Sequence, residues 1–249
     1  SWAALSFGLS FLTELKSLSD HVVVCGYGRN GRQAVKTLRA YHQDFVIIEN
    51  DPDLVQRIRE SSEHTIVLPG DATDDSIMQQ AGIEKAKALI TTLPSDADNL
   101  FVVLTARDVN STLNIISRAS DDRSEHKLKI AGANNVILPD KVGGSHMGTL
   151  VTTPDLMEFL DHISVMGEDD STLVEIRFQN LPADFEHKSI MELENRYHTG
   201  SRIIGFKTPE NEIIVNPSPE RELVPESKLF VLGNPDQIKK LKSVLHIDE

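Results

Sequence analysis

Short apolar runs rich in β-branched residues recur along the first half of the chain, and segments with helical periodicity separate them. Continuous β-branched runs of this length are typical of strands buried on both faces. Helices between such strands indicate βαβ units, whose right-handed crossovers build a parallel, doubly wound sheet. We therefore predict an α/β fold with a Rossmann-like sheet. The runs are 21–26, 44–50, 64–72, 86–93, 112–120 and 134–139.

A helical segment and a differently patterned tail follow these runs. Pro154 is expected to kink or break the helical segment, because proline lacks the N–H that an interior helical position needs. The tail alternates with period two, has a hairpin signal at Pro209-Glu210-Asn211 and ends in a capped helix. These features predict a small α+β subdomain of about four strands. The predicted divisions are a linker or remnant (1–18), the Rossmann-like domain (19–140), a crossover helix (141–165) and the small subdomain (166–249).

Charge and composition limit the function classes. The net charge of -13 argues against a nucleic-acid partner, since a basic face supplies most of that binding energy. No apolar run is long enough to span a bilayer. The chain begins without Met, and we interpret it as a piece of a longer protein, with a frayed terminus or cloning remnant as an equal alternative.

The glycine motif Gly26-Tyr27-Gly28-Arg29-Asn30-Gly31 directly follows the first predicted strand and opens a helix. At such a junction, G-x-G-x-x-G is the fingerprint of a loop that binds the diphosphate of a dinucleotide at a helix N-terminus. Gly26 is expected to permit the turn, Gly28 to let the backbone approach the diphosphate, and Gly31 to let the helix pack on the strand. The motif therefore predicts a phosphate site.

The ends of the next two strands carry carboxylates. Glu49 lies eighteen residues after Gly31, where a carboxylate accepts hydrogen bonds from ribose hydroxyls and repels a 2′-phosphate. It favours NAD, or another adenosine ligand with a free 2′-hydroxyl, over NADP; a solvated strand end is the alternative. Asp71 either accepts from an adenine amino group or caps the helix that is predicted to begin near Thr73.

The fourth and fifth predicted strands end in further candidates. Ligands of doubly wound sheets bind at the carboxyl ends of the strands, which places Thr92 beside the crevice. Arg118 ends the fifth strand, where it either contacts a phosphate or pairs at the surface with Asp121 or Asp122.

Four segments of the sequence together resemble the RCK (regulator of potassium conductance) domains, also called KTN domains. The tail from about 166 resembles the C-terminal subdomain of that family, so the resemblance covers about 19–246. It implies a regulatory module at the cytoplasmic face of the membrane, linked to the pore segment of a potassium channel. A separate regulatory subunit of a potassium uptake system is the alternative. The segments are HVVVCGYGRNGRQAVKTL, VIIENDP, GDATDDSIMQQAGIEKAKALITTLPSDADNLFVVLTAR and GANNVILPDKVGGSHMGTLV.

The resemblance also implies an assembly and a ligand. Such domains pair through the crossover helix, here about 141–162, and form an octameric gating ring that acts on the pore. The ligand would be NAD or another adenine nucleotide. The residues carried over to its site are Gly26, Tyr27, Gly28, Arg29, Asn30, Gly31, Glu49, Asn50, Asp71, Ala72, Thr92 and Arg118.

Calcium is a second candidate ligand, because some members of this family bind it through carboxylates. Glu168, Asp169 and Asp170 form an acidic join, and Glu158 and Asp161 are near them in sequence. Calcium needs six to eight oxygens in a compact site, and the sequence has no EF-hand loop. A solvated acidic linker is the favoured alternative.

An NAD-dependent oxidoreductase is the rival class. The nine histidines are scattered, without a partner Lys or Tyr at a catalytic spacing. His146 is expected to be an interface residue of the crossover helix, and Cys25 to be buried rather than nucleophilic. No Cys cluster or paired His suggests a transition metal. We therefore predict that the chain is not an enzyme.

Overall fold

Two compact units make up the chain, residues 1–147 and 148–249. The computed structural model describes residues 15–61, 65–164, 171–178 and 183–247. The first unit holds a six-stranded parallel sheet and the second a five-stranded, mostly antiparallel sheet. The predicted fold class is therefore confirmed, while the predicted domain boundaries at 140 and 165 stay predictions.

The sheet of the first unit contains β1 (Val22–Cys25), β2 (Phe45–Glu49), β3 (Ile66–Pro69), β4 (Ala88–Thr91), β5 (Asn114–Arg118) and β6 (Asn135–Ile137). Its strand order is β3-β2-β1-β4-β5-β6, and every neighbouring pair is parallel. The order reverses between β1 and β4. Ligands of doubly wound sheets bind at that switch point, at the carboxyl ends of the strands.

The first unit has a core on each face of its sheet. Successive side chains of a strand point to opposite faces, and those of β1 join two different clusters. Val22 and Val24 pack with Val35, while Val23 and Cys25 join the second cluster. The helices are α1 (Arg29–Ala40), α2 (Pro52–Ser61), α3 (Asp75–Gln80), α4 (Asp96–Val109) and α5 (Asp122–Ile130).

The start of α3 differs from the prediction. The helix begins at Asp75 rather than near Thr73, and Asp74 is its N-cap, accepting a hydrogen bond from the Ser76 N–H at 2.8 Å. Asp71 does not cap the helix; its Oδ1 instead accepts from the N–H and the hydroxyl of Thr73. Both Asp71 and Asp74 precede the helix, and Asp74 provides the N-cap because it lies directly before the first turn.

The helical segment consists of α6 (Pro139–Thr152) and α7 (Pro154–Asp161). Pro154 begins the second helix, so the predicted break is confirmed. None of the side chains on these two helices is buried. Exposed apolar side chains recur along both: Val142, Met147, Leu150, Val151, Leu156, Phe159 and Leu160.

No helix in the described parts of the chain is long and apolar enough to cross a membrane.

The second unit contains β7 (Ile163–Ser164), β8 (Ser171–Arg177), α8 (Ile190–Tyr197), β9 (Arg202–Lys207), β10 (Ile213–Val215), β11 (Lys228–Gly233) and α9 (Pro235–Val244). The predicted hairpin is confirmed, since β9 and β10 pair antiparallel around a turn in which Asn211 N–H donates to Thr208 O. The sheet has five strands rather than about four, because β7 is too short to leave a sequence signal. Asn234 caps α9 as part of a capping box.

Candidate functional site

The glycine loop between β1 and α1 needs glycine at two of its positions. Gly26 has a φ of +87°, in the left-handed region that side chains with a Cβ disfavour. A Cβ at Gly31 would lie 2.0 Å from the carbonyl oxygen of Gly26. Around a Cβ at Gly28, in contrast, there is no atom of the described chain within 4 Å. The loop therefore packs tightly at its two ends and is open at Gly28.

The N-terminus of α1 points its free N–H groups toward this open position. Gly28 is the N-cap and has no side chain to accept from the first turn, and no acidic residue lies in that turn. The first N–H groups of a helix have no intrahelical acceptor, and the helix dipole makes them an anion site. Arg29 and Arg32 add two positive charges within the first turn.

Glu49 holds the glycine loop from the β2 side. Its side chain is only 7% exposed, and Oε2 accepts the Tyr27 N–H at 2.7 Å. Oε1 accepts the N–H groups of Asn50 and Asp51, both at 2.9 Å. The alternative of a solvated strand end is therefore wrong. A carboxylate has about four acceptor positions, so three backbone bonds leave about one for a ligand.

Thr92 holds the loop from the β4 side. Its hydroxyl lies 3.2 Å from the carbonyl oxygens of both Cys25 and Gly26, and its N–H donates to Cys25 O at 2.9 Å. The ends of β2 and β4 thus fix the glycine loop between them.

A cavity of about 380 Å³ opens at the carboxyl ends of β1, β4 and β5. It brings together five of the predicted site residues, and its described lining contains no carboxylate. It also includes Arg32 and Pro94, which sequence reasoning missed. Arg32 could have been found, because it lies three residues after Arg29 and shares its helical face. The predicted members are Gly28, Arg29, Asn30, Thr92 and Arg118.

Arg118 crosses the gap between β5 and the loop after β4. Its Nη1 donates to the carbonyl oxygens of Leu93 and Pro94, at 3.1 and 3.2 Å. The alternative pairing is wrong, because Asp121 contacts Arg123 and Asp122 contacts Lys141 instead. Arg118 therefore keeps further N–H donors for the cavity.

Seven of the predicted residues do not line this cavity, and three of them form or hold the glycine loop as described above. Asn50 follows Glu49 and is exposed, and Asp71 is exposed at the end of β3. Ala72 is 4% exposed and belongs to the hydrophobic core, so its side chain packs the fold. The remaining loop residue, Tyr27, is partly buried against the core cluster around β1.

Comparison with known proteins decides the family. Residues 22–139 match the TrkA-N domain and residues 173–246 match the TrkA-C domain. Probable potassium channel protein 2 of Methanocaldococcus jannaschii is 34% identical over 236 residues, which cover 93% of this chain and 68% of that protein. The chain belongs to the RCK family. The resemblance stated from the sequence is confirmed.

Two solved structures share the fold of this RCK chain. The TrkA-N domain of inner membrane protein ybaL from Escherichia coli has a TM-score of 0.52 at 31% identity, covering 54% of this chain and 98% of that one. The human SLO3 gating ring has a TM-score of 0.65 at 17% identity, covering 91% of this chain and 46% of that one. At 17% identity the second likeness concerns the fold alone.

The calcium candidates Glu158 and Asp161 and the nucleophile candidate Cys25 are not among the residues that line the cavity. Glu158 and Asp161 are on α7, whereas residues 168–170 of the acidic join lie outside the described residues. The described residues contain no group of three or more His, Cys, Asp or Glu that could hold a metal ion. Cys25 is fully buried, as predicted, and burial raises the pKa of its thiol to about 12.

Proposed function

We propose that this RCK chain is a regulatory module of a potassium channel and that it binds an adenine nucleotide, NAD first, at the carboxyl ends of β1 to β5. The observation that carries the proposal is the arginine-lined cavity at the open N-terminus of α1. Family membership supports a regulatory role rather than catalysis. The relative from Methanocaldococcus jannaschii, named as a probable potassium channel protein, supports the channel-linked branch over a separate uptake subunit.

The cavity suits a diphosphate. Arg29, Arg32 and Arg118 line it together with the N-terminal turn of α1. Guanidinium groups bind phosphate oxygens in bidentate fashion, and such charge-assisted bonds are about twice as strong as neutral ones. The open space at Gly28 lets a phosphate approach the backbone. A volume of about 380 Å³ lies within the usual range for ligand pockets.

The adenosine half would extend along the crevice toward β2 and β3. Glu49 keeps about one acceptor position on Oε2, which suits a ribose hydroxyl and repels the 2′-phosphate of NADP. Asn50 and Asp71 are exposed at the same edge of the sheet, where each has polar atoms for the base or ribose. NAD and ADP are therefore expected to bind more tightly than NADP.

Regulation would use a second copy of the chain. The exposed apolar side chains of α6 and α7 form the surface that we propose to pair, with Val151 83% exposed and Phe159 59% exposed. His146 lies on α6 and is exposed in the single chain. An interface residue is expected to be exposed when the second copy is absent. Pairs would assemble into a ring at the cytoplasmic face and act on a pore. A ligand shifts such an equilibrium only through its different affinities for the two arrangements.

Titration calorimetry tests the nucleotide site with a matched pair of variants. NAD, NADH, ADP, ATP, AMP and NADP are titrated into the wild-type chain, into Gly28→Asp and into Asn211→Asp. Gly28→Asp keeps the fold, because a Cβ there meets open space, but it places a carboxylate where the diphosphate would lie. Asn211→Asp adds the same charge in the β9–β10 turn, where Asn211 tolerates a φ of +70°. We expect binding to vanish in the first variant and to be unchanged in the second.

Unchanged heats in Gly28→Asp would refute the site. A wild-type chain that shows no heat with any nucleotide is analysed by mass spectrometry after denaturation, which detects a nucleotide retained from expression. Absence of both heat and retained nucleotide would refute nucleotide binding.

A further inference from the structure

Asn99 is a polar side chain completely buried behind the wall of the nucleotide cavity. It lies on the first turn of α4 and is 0% exposed. Its Oδ1 accepts from the Thr91 hydroxyl at 2.7 Å and from the Leu93 N–H at 3.0 Å. Its Nδ2 donates to Leu93 O at 3.0 Å and to Arg118 O at 3.4 Å. One amide thus uses both donors and both acceptor positions to join the ends of β4 and β5.

The same bonds determine where the Arg118 guanidinium lies. Leu93 O accepts from Asn99 Nδ2 and also from Arg118 Nη1, at 3.1 Å. Asn99 therefore holds the backbone of Arg118 through one bond and the acceptor of its side chain through another. Neither aspartate nor serine can make both bonds in the same space, because aspartate lacks the two N–H donors and serine is shorter.

We propose that Asn99 is a positioning residue for nucleotide binding and that it acts through Arg118. Without its two N–H bonds, the amide no longer joins Leu93 O to Arg118 O, and one of the two carbonyls that the guanidinium contacts is no longer held in place. Arg118 then samples orientations that do not face the phosphate. This inference rests on the proposed nucleotide function of the cavity.

A double-mutant cycle with NAD as the probe tests the inference. Asn99→Asp keeps the shape and the two accepted bonds, but it turns an acceptor toward the carbonyls of Leu93 and Arg118. Asn99→Asp and Arg118→Gln are each expected to weaken the Kd for NAD by about tenfold, the usual effect of losing a bond to a charged group. The double variant is expected to bind as Arg118→Gln does, to within about twofold, because Asn99 then has no guanidinium to position.

Asn110, the C-cap residue of the same helix, provides a matched control. Its Nδ2 donates to the carbonyls of Ile83, Glu84 and Ala86, so Asn110→Asp also removes bonds that tie α4 to a loop, but at the far end of the helix from the cavity. It is expected to lower the melting temperature and to leave the Kd for NAD unchanged. Thr91→Val removes a single bond to Asn99 and is the second variant if Asn99→Asp does not fold. Thr91→Val is also expected to weaken the Kd for NAD, and adding it to Arg118→Gln is expected to cause no further weakening.

The outcomes separate this inference from the proposed function. Additive losses in the cycle, a wild-type Kd in Asn99→Asp, or an equal loss in Asn110→Asp would overturn the positioning role while NAD binding to the wild-type chain stands. A wild-type chain that does not bind NAD or any other adenine nucleotide overturns both.

Discussion

Replacing Gly31 with alanine tests how closely α1 sits on the glycine loop. The added methyl would lie 2.0 Å from Gly26 O and 3.0 Å from both the Gly26 carbonyl carbon and Thr92 Oγ1. Real Cβ atoms essentially never approach another atom within 3.0 Å. The close atom belongs to the backbone, so no side chain can turn away. The helix and the loop must separate by about 1 Å, which disturbs the packing between them.

The size of the effect follows from two opposing contributions. Overpacking costs about 1–3 kcal/mol, and a backbone clash falls at the upper end of that range. Alanine is better than glycine inside a helix by about 1 kcal/mol, which offsets part of the loss. The expected net loss in the free energy of unfolding is about 2 kcal/mol. In a domain of this size that lowers the melting temperature by roughly 4–8 °C.

Gly28→Ala is the matched control, three residues away in the same loop. Gly28 has a φ of -70°, which alanine adopts readily, and its Cβ would meet no described atom within 4 Å. Replacing an N-cap glycine by alanine is expected to cost less than about 1 kcal/mol. Thermal unfolding followed by circular dichroism compares the two variants with the wild-type chain. A melting temperature of Gly31→Ala within about 1 °C of wild type, or an equal drop in Gly28→Ala, would refute this account of the loop.

Three further predictions concern association, reactivity and acid. If α6 and α7 pair as proposed, the wild-type chain sediments as a dimer, and Val151→Glu, which places a charge on that apolar surface, sediments as a monomer; an unchanged dimer in the variant contradicts the pairing surface. Cys25 is expected to resist iodoacetamide in the native state and to react fully in urea, because burial raises its pKa to about 12; rapid native labelling would contradict this. The Ser124 N–H lowers the pKa of Asp121 below its unfolded value of 3.8, so the stability it adds is present above that value and is lost as the pH falls further. Asp121→Asn is expected to reduce that acid dependence in urea titrations.

Buried strands and helix caps were predictable from sequence because each depends on residues that are adjacent in the chain. A run such as Val22–Cys25 has no polar face, so it must be buried on both sides, as the two clusters around β1 confirm. The cap at Ser95 was predictable because a serine directly precedes the first turn of α4, where its hydroxyl accepts the Asp98 N–H.

Contacts between strand ends were harder to predict, because they depend on the order of strands in the sheet. Arg32, Pro94 and Arg118 share a cavity only because β4 and β5 follow β1 in space. Glu49 was expected to face a ribose, yet most of its acceptor positions are used by the backbone of its own and a neighbouring loop. No pattern in the sequence reports which N–H groups a turn will direct at a carboxylate.

Asn99 left a signal that sequence reasoning missed. It lies three, four and seven residues before Val102, Val103 and Ala106, all of which are 0% exposed. A polar residue on the buried stripe of a helix must find hydrogen-bond partners inside the protein. The pattern would have singled out Asn99, although its partners could only come from the structure.

Glu49 and Thr92 hold the glycine loop in one conformation, which affects how tightly the proposed nucleotide can bind. Ordering a flexible loop at the moment of binding would cost about 1–2 kcal/mol for each residue fixed. Here the fold itself orders the loop through bonds at Tyr27, Cys25 and Gly26. Little of a nucleotide's interaction energy is then consumed in shaping its own site. Under the proposed function, the energy saved raises the affinity for the nucleotide, and only the part of that affinity that differs between two arrangements of the chains drives a switch.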